Sequence, residues 1–127
     1  MLLVLGCRRR EAEFATVVQD IQTGVIPVAA NGSVPLPERF AGLTPRNEIF
    51  VERKPDSRLL VLFPTWYGRG DDIEGLLYCS SALKAEDFYT VDWGQGGRRQ
   101  HIDIAGRDML TVRGFKEHWY YVSRRID

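Results

Sequence analysis

The stretch "RLLVLFPTW", residues 58–66, contains five consecutive apolar side chains near the middle of the chain. A short, continuous apolar run of this kind indicates a β-strand that is buried on both faces. Such a strand lies inside its sheet and has a further layer of structure on each side. We therefore expect this strand to form the centre of the fold.

An amphipathic helix is predicted before this strand. In "REAEFATVVQDIQTG" the apolar residues Phe14, Val17, Val18 and Ile21 recur at spacings of three and four, so that they share one face of a helix. Acidic residues near the start of this stretch suit the positive end of the helix dipole, and Gly24 is a suitable stop. The rest of the chain supplies only strands, so we predict that the helix lies across a sheet.

After the helix, apolar and polar residues alternate with a period of two, which is typical of half-buried strands. An Asn31-Gly32 turn with prolines nearby first indicates a small edge hairpin. Turn residues then separate the predicted strands "EIFVER", "RLLVLFPTW", "EGLLYCS", "FYTVDW", "RQHIDI", "DMLTVR" and "HWYYVSRR". The predicted fold class is α+β, with an N-terminal amphipathic helix packed on a mainly antiparallel meander sheet of about five to seven strands.

The chain length, the charge balance and the number of cysteines exclude several classes of protein. A chain of 127 residues has the length of one domain, and we expect residues 8–127 to form a single globular α+β domain. Its 17 basic and 17 acidic residues cancel, which argues against a dedicated nucleic-acid-binding protein. The two cysteines, Cys7 and Cys79, are too few for a disulfide framework or a cysteine-ligated zinc site. No cofactor is predicted.

The first residues bear on where the protein works. Val4-Leu5-Gly6-Cys7 resembles the lipobox of bacterial lipoproteins, in which an aliphatic and a small residue precede a cysteine that is lipidated. The resemblance implies that residues 1–7 are the remnant of a lipoprotein signal, that Cys7 carries lipid, and that the protein is anchored in the cell envelope. In the alternative, residues 2–5 form a short edge strand and the protein is cytoplasmic, because the arginines at positions 8–10 disfavour export.

Side chains that can take part in acid–base catalysis are most concentrated in "GQGGRRQHIDI", residues 94–104. Strand alternation places Arg99, His101 and Asp103 on one face, where we expect them to face solvent or a cleft. A histidine beside a carboxylate and a guanidinium can act as a general base next to an anion holder, and His118 would add an acid. The alternative interpretation is the solvated face of an ordinary strand. No metal site is predicted, because His101, Asp103 and His118 lack further closely spaced ligands.

Aromatic residues gather near the ends of the predicted strands and beside arginines. Consecutive aromatics in "HWYY", residues 118–121, point to opposite faces of a strand, so at least one of them lies outside the main core. Exposed aromatics beside arginines are favoured at protein interfaces, although cross-strand pairing within the sheet is an alternative role. The predicted partner-binding residues are Trp66, Tyr67, Arg69, Trp119, Tyr121 and Arg124.

These observations give two hypotheses about function. The first is a small envelope-associated bacterial lipoprotein domain that acts as a non-enzymatic binding or structural module, with an unknown protein or envelope component as its partner. The alternative is a small cytosolic ribonuclease-like or RNA-binding protein that uses Arg99, His101, Asp103 and His118. The second hypothesis requires the two histidines to lie close together, because one ring must act as base and the other as acid.

Overall fold

In the computed structural model, the described residues are 2–92, 94 and 97–125, without the side chains of residues 2–9, 98 and 99. Within this part of the chain, helix α1 (Leu2–Gln22) is followed by nine strands and by two short 3-10 helices, Glu38–Phe40 and Ala85–Asp87. The strands are β1 (Gly32–Pro35), β2 (Glu48–Arg53), β3 (Leu59–Tyr67), β4 (Ile73–Cys79), β5 (Phe88–Asp92), β6 (Arg98–Ile104), β7 (Arg107–Met109), β8 (Thr111–Lys116) and β9 (Trp119–Arg124).

The strands form two antiparallel sheets. The larger sheet has six strands in the order β1-β2-β3-β4-β9-β8, and the smaller has three in the order β5-β6-β7. Helix α1 packs on one face of the six-stranded sheet, and the three-stranded sheet packs on the other, so the molecule has three layers. The α+β class with a mainly antiparallel sheet is confirmed.

Strand β3 lies between the two outer layers, as its apolar run predicts. Leu59, Val61 and Phe63 belong to the core that also contains the apolar face of α1. Leu60 and Leu62 belong to the second core, which contains Ile102, Ile104 and Met109 of the smaller sheet. All five residues of the run are buried, because alternate side chains of one strand enter both cores.

Helix α1 buries the predicted face, and it begins closer to the amino terminus than the sequence pattern predicted. Phe14, Val17, Val18 and Ile21 are all buried, and Gly24 follows the helix with a φ of +81°, a conformation in which glycine is favoured. The prediction of an edge strand at residues 2–5 is wrong, because these residues belong to α1. Leucine and arginine are good helix formers, and no proline interrupts the stretch.

The predicted single meander is divided between the two sheets. The segment "DMLTVR" was expected to form one strand, but it contains the end of β7 and the start of β8 on either side of Leu110. The Leu110 N–H donates to the Ser123 carbonyl at 2.9 Å, which brings the chain back to the larger sheet. The separation follows from burial, since the apolar face of β6 and β7 covers the face of the larger sheet that α1 leaves open.

A buried ion pair joins the layers at one end of the molecule. Arg58, before β3, is 7% exposed, and its Nη1 and Nη2 donate to the two carboxylate oxygens of Asp87 at 2.7 and 2.6 Å. Its Nε donates to Asp56, which also accepts from Lys84 Nζ at 3.1 Å. The β2–β3 turn is thereby fixed to the segment that leads into β5 in the smaller sheet.

Candidate functional site

His101 lies in a hydrogen-bonded cluster on the three-stranded sheet. Its Nδ1 is 3.0 and 3.1 Å from the two carboxylate oxygens of Asp108, and the Tyr89 hydroxyl donates to the same carboxylate. The Tyr89 and His101 rings meet edge to face at 5.6 Å. The hydrogen bond to Asp108 raises the pKa of Tyr89 to about 12, so this hydroxyl keeps its proton at neutral pH. The cluster links β5, β6 and β7.

The expectation that His101 faces solvent or a cleft is wrong. The ring is only 3% exposed, because Tyr89 and Asp108 on the two neighbouring strands pack against it. Asp103, on the same strand, is exposed as predicted, and the side chain of Arg99 lies outside the described residues. A ring that is shielded in this way is held as a structural group, since a general base must reach its substrate.

His118 lies in a different part of the fold. It occupies the β8–β9 turn with a φ of 72°, its Nδ1 is 3.1 Å from the Cys79 carbonyl oxygen, and its ring stands 5.9 Å from that of Tyr78. Tyr78 packs against the core on the helix side, whereas His101 belongs to the three-stranded sheet on the opposite side. The two histidines lie in different layers of the fold, so the structure does not assemble the predicted base and acid.

The same separation applies to metal ligands and to the thiol. His101, Asp103 and His118 do not converge, and within the described part of the chain no group of three or more histidine, cysteine or acidic side chains could hold a metal ion. Cys79 is buried and free, and burial raises the pKa of its thiol. Raising a thiol pKa lowers its nucleophilicity at neutral pH, because the thiolate is the reactive form. The Cys7 side chain lies outside the described residues.

Arginine and aromatic side chains lie at the end of the larger sheet where β3 terminates, on both of its faces, because Trp66 and Tyr67 are consecutive residues of the strand. Arg46 lies over the ring of Tyr67, with 3.8 Å from its Cζ to the ring centroid, and Arg125 lies over Trp66 at 5.0 Å. Arg69 is exposed in the turn between β3 and β4. We call these five residues the arginine–aromatic rim.

Acidic neighbours hold the rim in place. The Tyr67 hydroxyl donates to Glu48 Oε1 at 2.8 Å, and burial, followed by this hydrogen bond, raises the pKa of Tyr67 to about 12. Arg125 Nη1 donates to Glu74 Oε1 at 3.1 Å. Trp66 nevertheless remains 38% exposed, and among the described residues it is one of four large apolar side chains open to solvent. The rim is ordered by its own contacts and still accessible.

The predicted partner-binding residues therefore divide among separate locations. Trp66, Tyr67 and Arg69 share the rim. Trp119 packs against the helix-side core, with its ring 6.0 Å from Phe63 and 5.4 Å from Tyr78. Tyr121 is half-buried on that same face, where Arg113 lies over its ring at 5.7 Å. The Trp119 side chain has a structural role that the sequence did not distinguish from an exposed one.

Arg124 lies on the face of the larger sheet that the three-stranded sheet covers, in the same cross-strand row as Tyr67. It pairs with Ile73 across the β4–β9 ladder and lines a polar pocket of about 310 Å³ with Asp71, Arg107 and Asp108. Its Nη1 is buried and has no hydrogen-bond partner among the described residues. The pocket contains equal numbers of arginine and aspartate side chains, so its charge does not select a cation or an anion.

A larger and more apolar groove lies where α1 reaches strand β8. It has a volume of about 420 Å³, and its walls include Phe14 of the helix, Leu76 of β4, Phe115 of β8 and Tyr121 of β9. Burial is the main reason that the pKa of Tyr121 is raised. Phe115 is 48% exposed. The sequence analysis did not find this groove, because the residues that form it come from five separate elements.

The comparisons with known proteins leave the function to be argued from this geometry. No protein family, characterised protein or solved structure matches the chain. Among the described residues, no helix is long and apolar enough to span a membrane.

Proposed function

We propose that this chain is a non-enzymatic binding domain of the bacterial cell envelope and that it contacts a partner protein through the arginine–aromatic rim. The observation that supports the proposal is the pair of stacked guanidinium groups, Arg46 on Tyr67 and Arg125 on Trp66, at an accessible end of the sheet. Tryptophan, tyrosine and arginine carry most of the binding energy at protein interfaces. A guanidinium stacked on a ring still presents its N–H edge to a partner carboxylate.

The cluster around His101 is better suited to a structural role than to catalysis. A hydrolytic role for His101 needs an accessible ring, but Tyr89 and Asp108 enclose it. The second histidine lies in another layer. The ribonuclease-like hypothesis therefore has no observation that favours it. Association with the envelope rests on the lipobox-like residues Val4-Leu5-Gly6-Cys7, and Cys7 is the proposed site of lipidation.

Photo-crosslinking in the native host tests the rim. We expect a photoreactive phenylalanine derivative at position 66 to give a discrete product with one protein, whereas the same group at the control position 25 gives none. Val25 is a suitable control because it is 57% exposed and lies outside the rim. With that protein purified, Trp66→Ala should weaken binding by about 30-fold or more, as expected for a central interface residue, and Val25→Ala should leave the affinity unchanged. Equal labelling from both positions, or an unchanged affinity for Trp66→Ala, would contradict the proposal.

A further inference from the structure

The edge of the larger sheet at β8 carries a cluster of cations around an exposed aromatic ring. Arg113 and Lys116 lie on either side of Phe115 in this strand, and all three are exposed. Arg10 of α1 is also exposed and lines the same apolar groove. We call Arg10, Arg113, Phe115 and Lys116 the β8 edge surface. An apolar side chain surrounded by cations is the composition of proteins that bind the interface of anionic membranes.

Two acidic residues, Glu11 and Glu117, lie near this surface. Glu11 lies in the groove and pairs with Lys116, with 3.6 Å between Oε2 and Nζ. Glu117 is turned towards His118, with 3.7 Å from its Oε1 to the ring Nε2. Arg113 is exposed, and its guanidinium lies over the ring of Tyr121 at 5.7 Å from the centroid. Three cations against the two carboxylates Glu11 and Glu117 leave this surface with a net charge of +1 (3 − 2), although the whole chain is neutral.

Helix α1 brings the amino terminus to this same edge. The contact of Glu11 with Lys116 places the helix over β8, and Phe14 lies further inside, 4.6 Å from Phe63. The helical residues 2–10 precede that contact and extend for about 13 Å at the usual rise of an α-helix. In sequence this stretch ends with three arginines at residues 8–10, which follow Cys7 and therefore stay in the chain if lipidation removes the residues before it. Cations at this position suit the headgroup level of an anionic membrane.

We infer that the β8 edge surface docks on anionic phospholipid, with Phe115 in the interface and Arg10, Arg113 and Lys116 on the lipid phosphates. The inference rests on the envelope location in the proposed function, and it requires no lipid on Cys7. A bilayer fits the surface better than a second copy of this neutral chain would, because cations line both sides of Phe115 and a copy would bring the same cations opposite them. Docking in this orientation leaves the arginine–aromatic rim at the end of the strands free for a protein.

Vesicle flotation with the full chain, made with unmodified Cys7, tests the inference. We expect binding to phosphatidylcholine vesicles that contain phosphatidylglycerol, little binding to pure phosphatidylcholine, and a loss of binding as salt is raised. The double variant Arg113→Gln/Lys116→Gln should lower the partition coefficient about fivefold for each cation removed. Phe115→Ser should lower it about tenfold or more.

Two matched controls separate this surface from net charge and from general hydrophobicity. Arg39→Gln/Arg53→Gln removes the same charge from two exposed positions on other parts of the surface. Val25→Ser removes an exposed apolar side chain, 57% exposed against 48% for Phe115. Both should bind vesicles like the original chain. The inference is overturned if anionic vesicles are not bound, if the controls lose as much as the β8 variants, or if sedimentation shows a dimer that Phe115→Ser dissociates. Crosslinking from position 66 is measured separately, so the rim proposal stands or fails without this result.

Discussion

Asp87→Ala is expected to lower the free energy of unfolding by about 3–5 kcal/mol, the cost of removing one partner from a buried ion pair. The Arg58 and Asp87 side chains are 8% and 3% exposed, and both terminal nitrogens of Arg58 donate to Asp87. Without that carboxylate, the two terminal nitrogens of a buried guanidinium lose their anionic partner, although its Nε still donates to Asp56. Urea denaturation followed by circular dichroism measures the effect.

Neighbouring variants show whether the loss comes from the pair. Glu86→Ala removes an acidic residue from the same 3-10 helix, but this side chain is 75% exposed, so we expect a change within about 0.5 kcal/mol. Arg58→Met/Asp87→Leu replaces the whole pair with apolar groups and should recover much of the loss. An Asp87→Ala variant as stable as Glu86→Ala would show that the pair contributes nothing to stability.

The Arg58–Asp87 ion pair also predicts that the stability of the fold decreases at acidic pH. The hydrogen bonds from Arg58 hold the pKa of Asp87 below its ordinary value of 3.8, so the carboxylate releases its proton more readily in the folded state. The carboxylate therefore contributes fully to stability at pH values above its ordinary pKa. This contribution is lost as the pH falls through the lower pKa of the folded state. The stability of Asp87→Asn should fall less than that of the original chain over this range.

Phe63→Ala is expected to cost about 3–5 kcal/mol, because it leaves a large cavity in a close-packed core. Phe63 is fully buried in β3, and its ring lies 4.6 Å from that of Phe14 and 6.0 Å from that of Trp119. It therefore joins the helix to the middle of the sheet. Its strand also lies close to β4, where a Cβ on Gly75 would come within 2.5 Å of the Phe63 carbonyl oxygen, so little relaxation is available to fill the cavity.

Phe115→Ala is the matched control for this variant. The same side chain is removed from an exposed edge strand, and the expected change in stability is within about 0.5 kcal/mol. Urea titrations of the two variants give the comparison directly. Equal losses would mean that α1 does not depend on Phe63 for its packing and would contradict the layered arrangement.

The layers of the fold were predictable because burial is encoded in single residues. The five apolar residues at 59–63 predicted a strand covered on both faces, and the spacing of Phe14, Val17, Val18 and Ile21 predicted the helix face that covers one of them. The second covering layer was not predicted as a separate sheet. Short alternating strands look the same in a sequence whether they continue one sheet or start another, and the crossing at Leu110 has no sequence marker of its own.

The candidate sites were harder to predict because they depend on pairs of residues from different elements. Alternation placed His101 and Asp103 on one face, but it gave no indication that Tyr89 and Asp108 would enclose the histidine. The Asp108 contact had a detectable signal: a two-residue turn at Ala105-Gly106 sets Asp103 opposite Asp108, which brings Asp108 diagonal to His101. Trp66, Tyr67 and Arg69 were found from their composition, whereas Arg46 and Arg125 reach the rim only through the folding of the chain.

In the two proposals, the β8 edge surface lies on a membrane and the rim binds a protein. The amino terminus of α1 and the cations of β8 share one edge of the sheet. The arginine–aromatic rim lies at the end of the strands, where β3 terminates. This arrangement assigns two surfaces to two tasks, and each surface is changed by a different set of variants.

The most direct test of the account is to fractionate the native host and determine the amino-terminal peptide of the protein by mass spectrometry. The account predicts that the chain is recovered with the membranes and that Cys7 carries the mass of an attached lipid. Recovery outside the membrane fraction, with an unmodified Cys7, would contradict it.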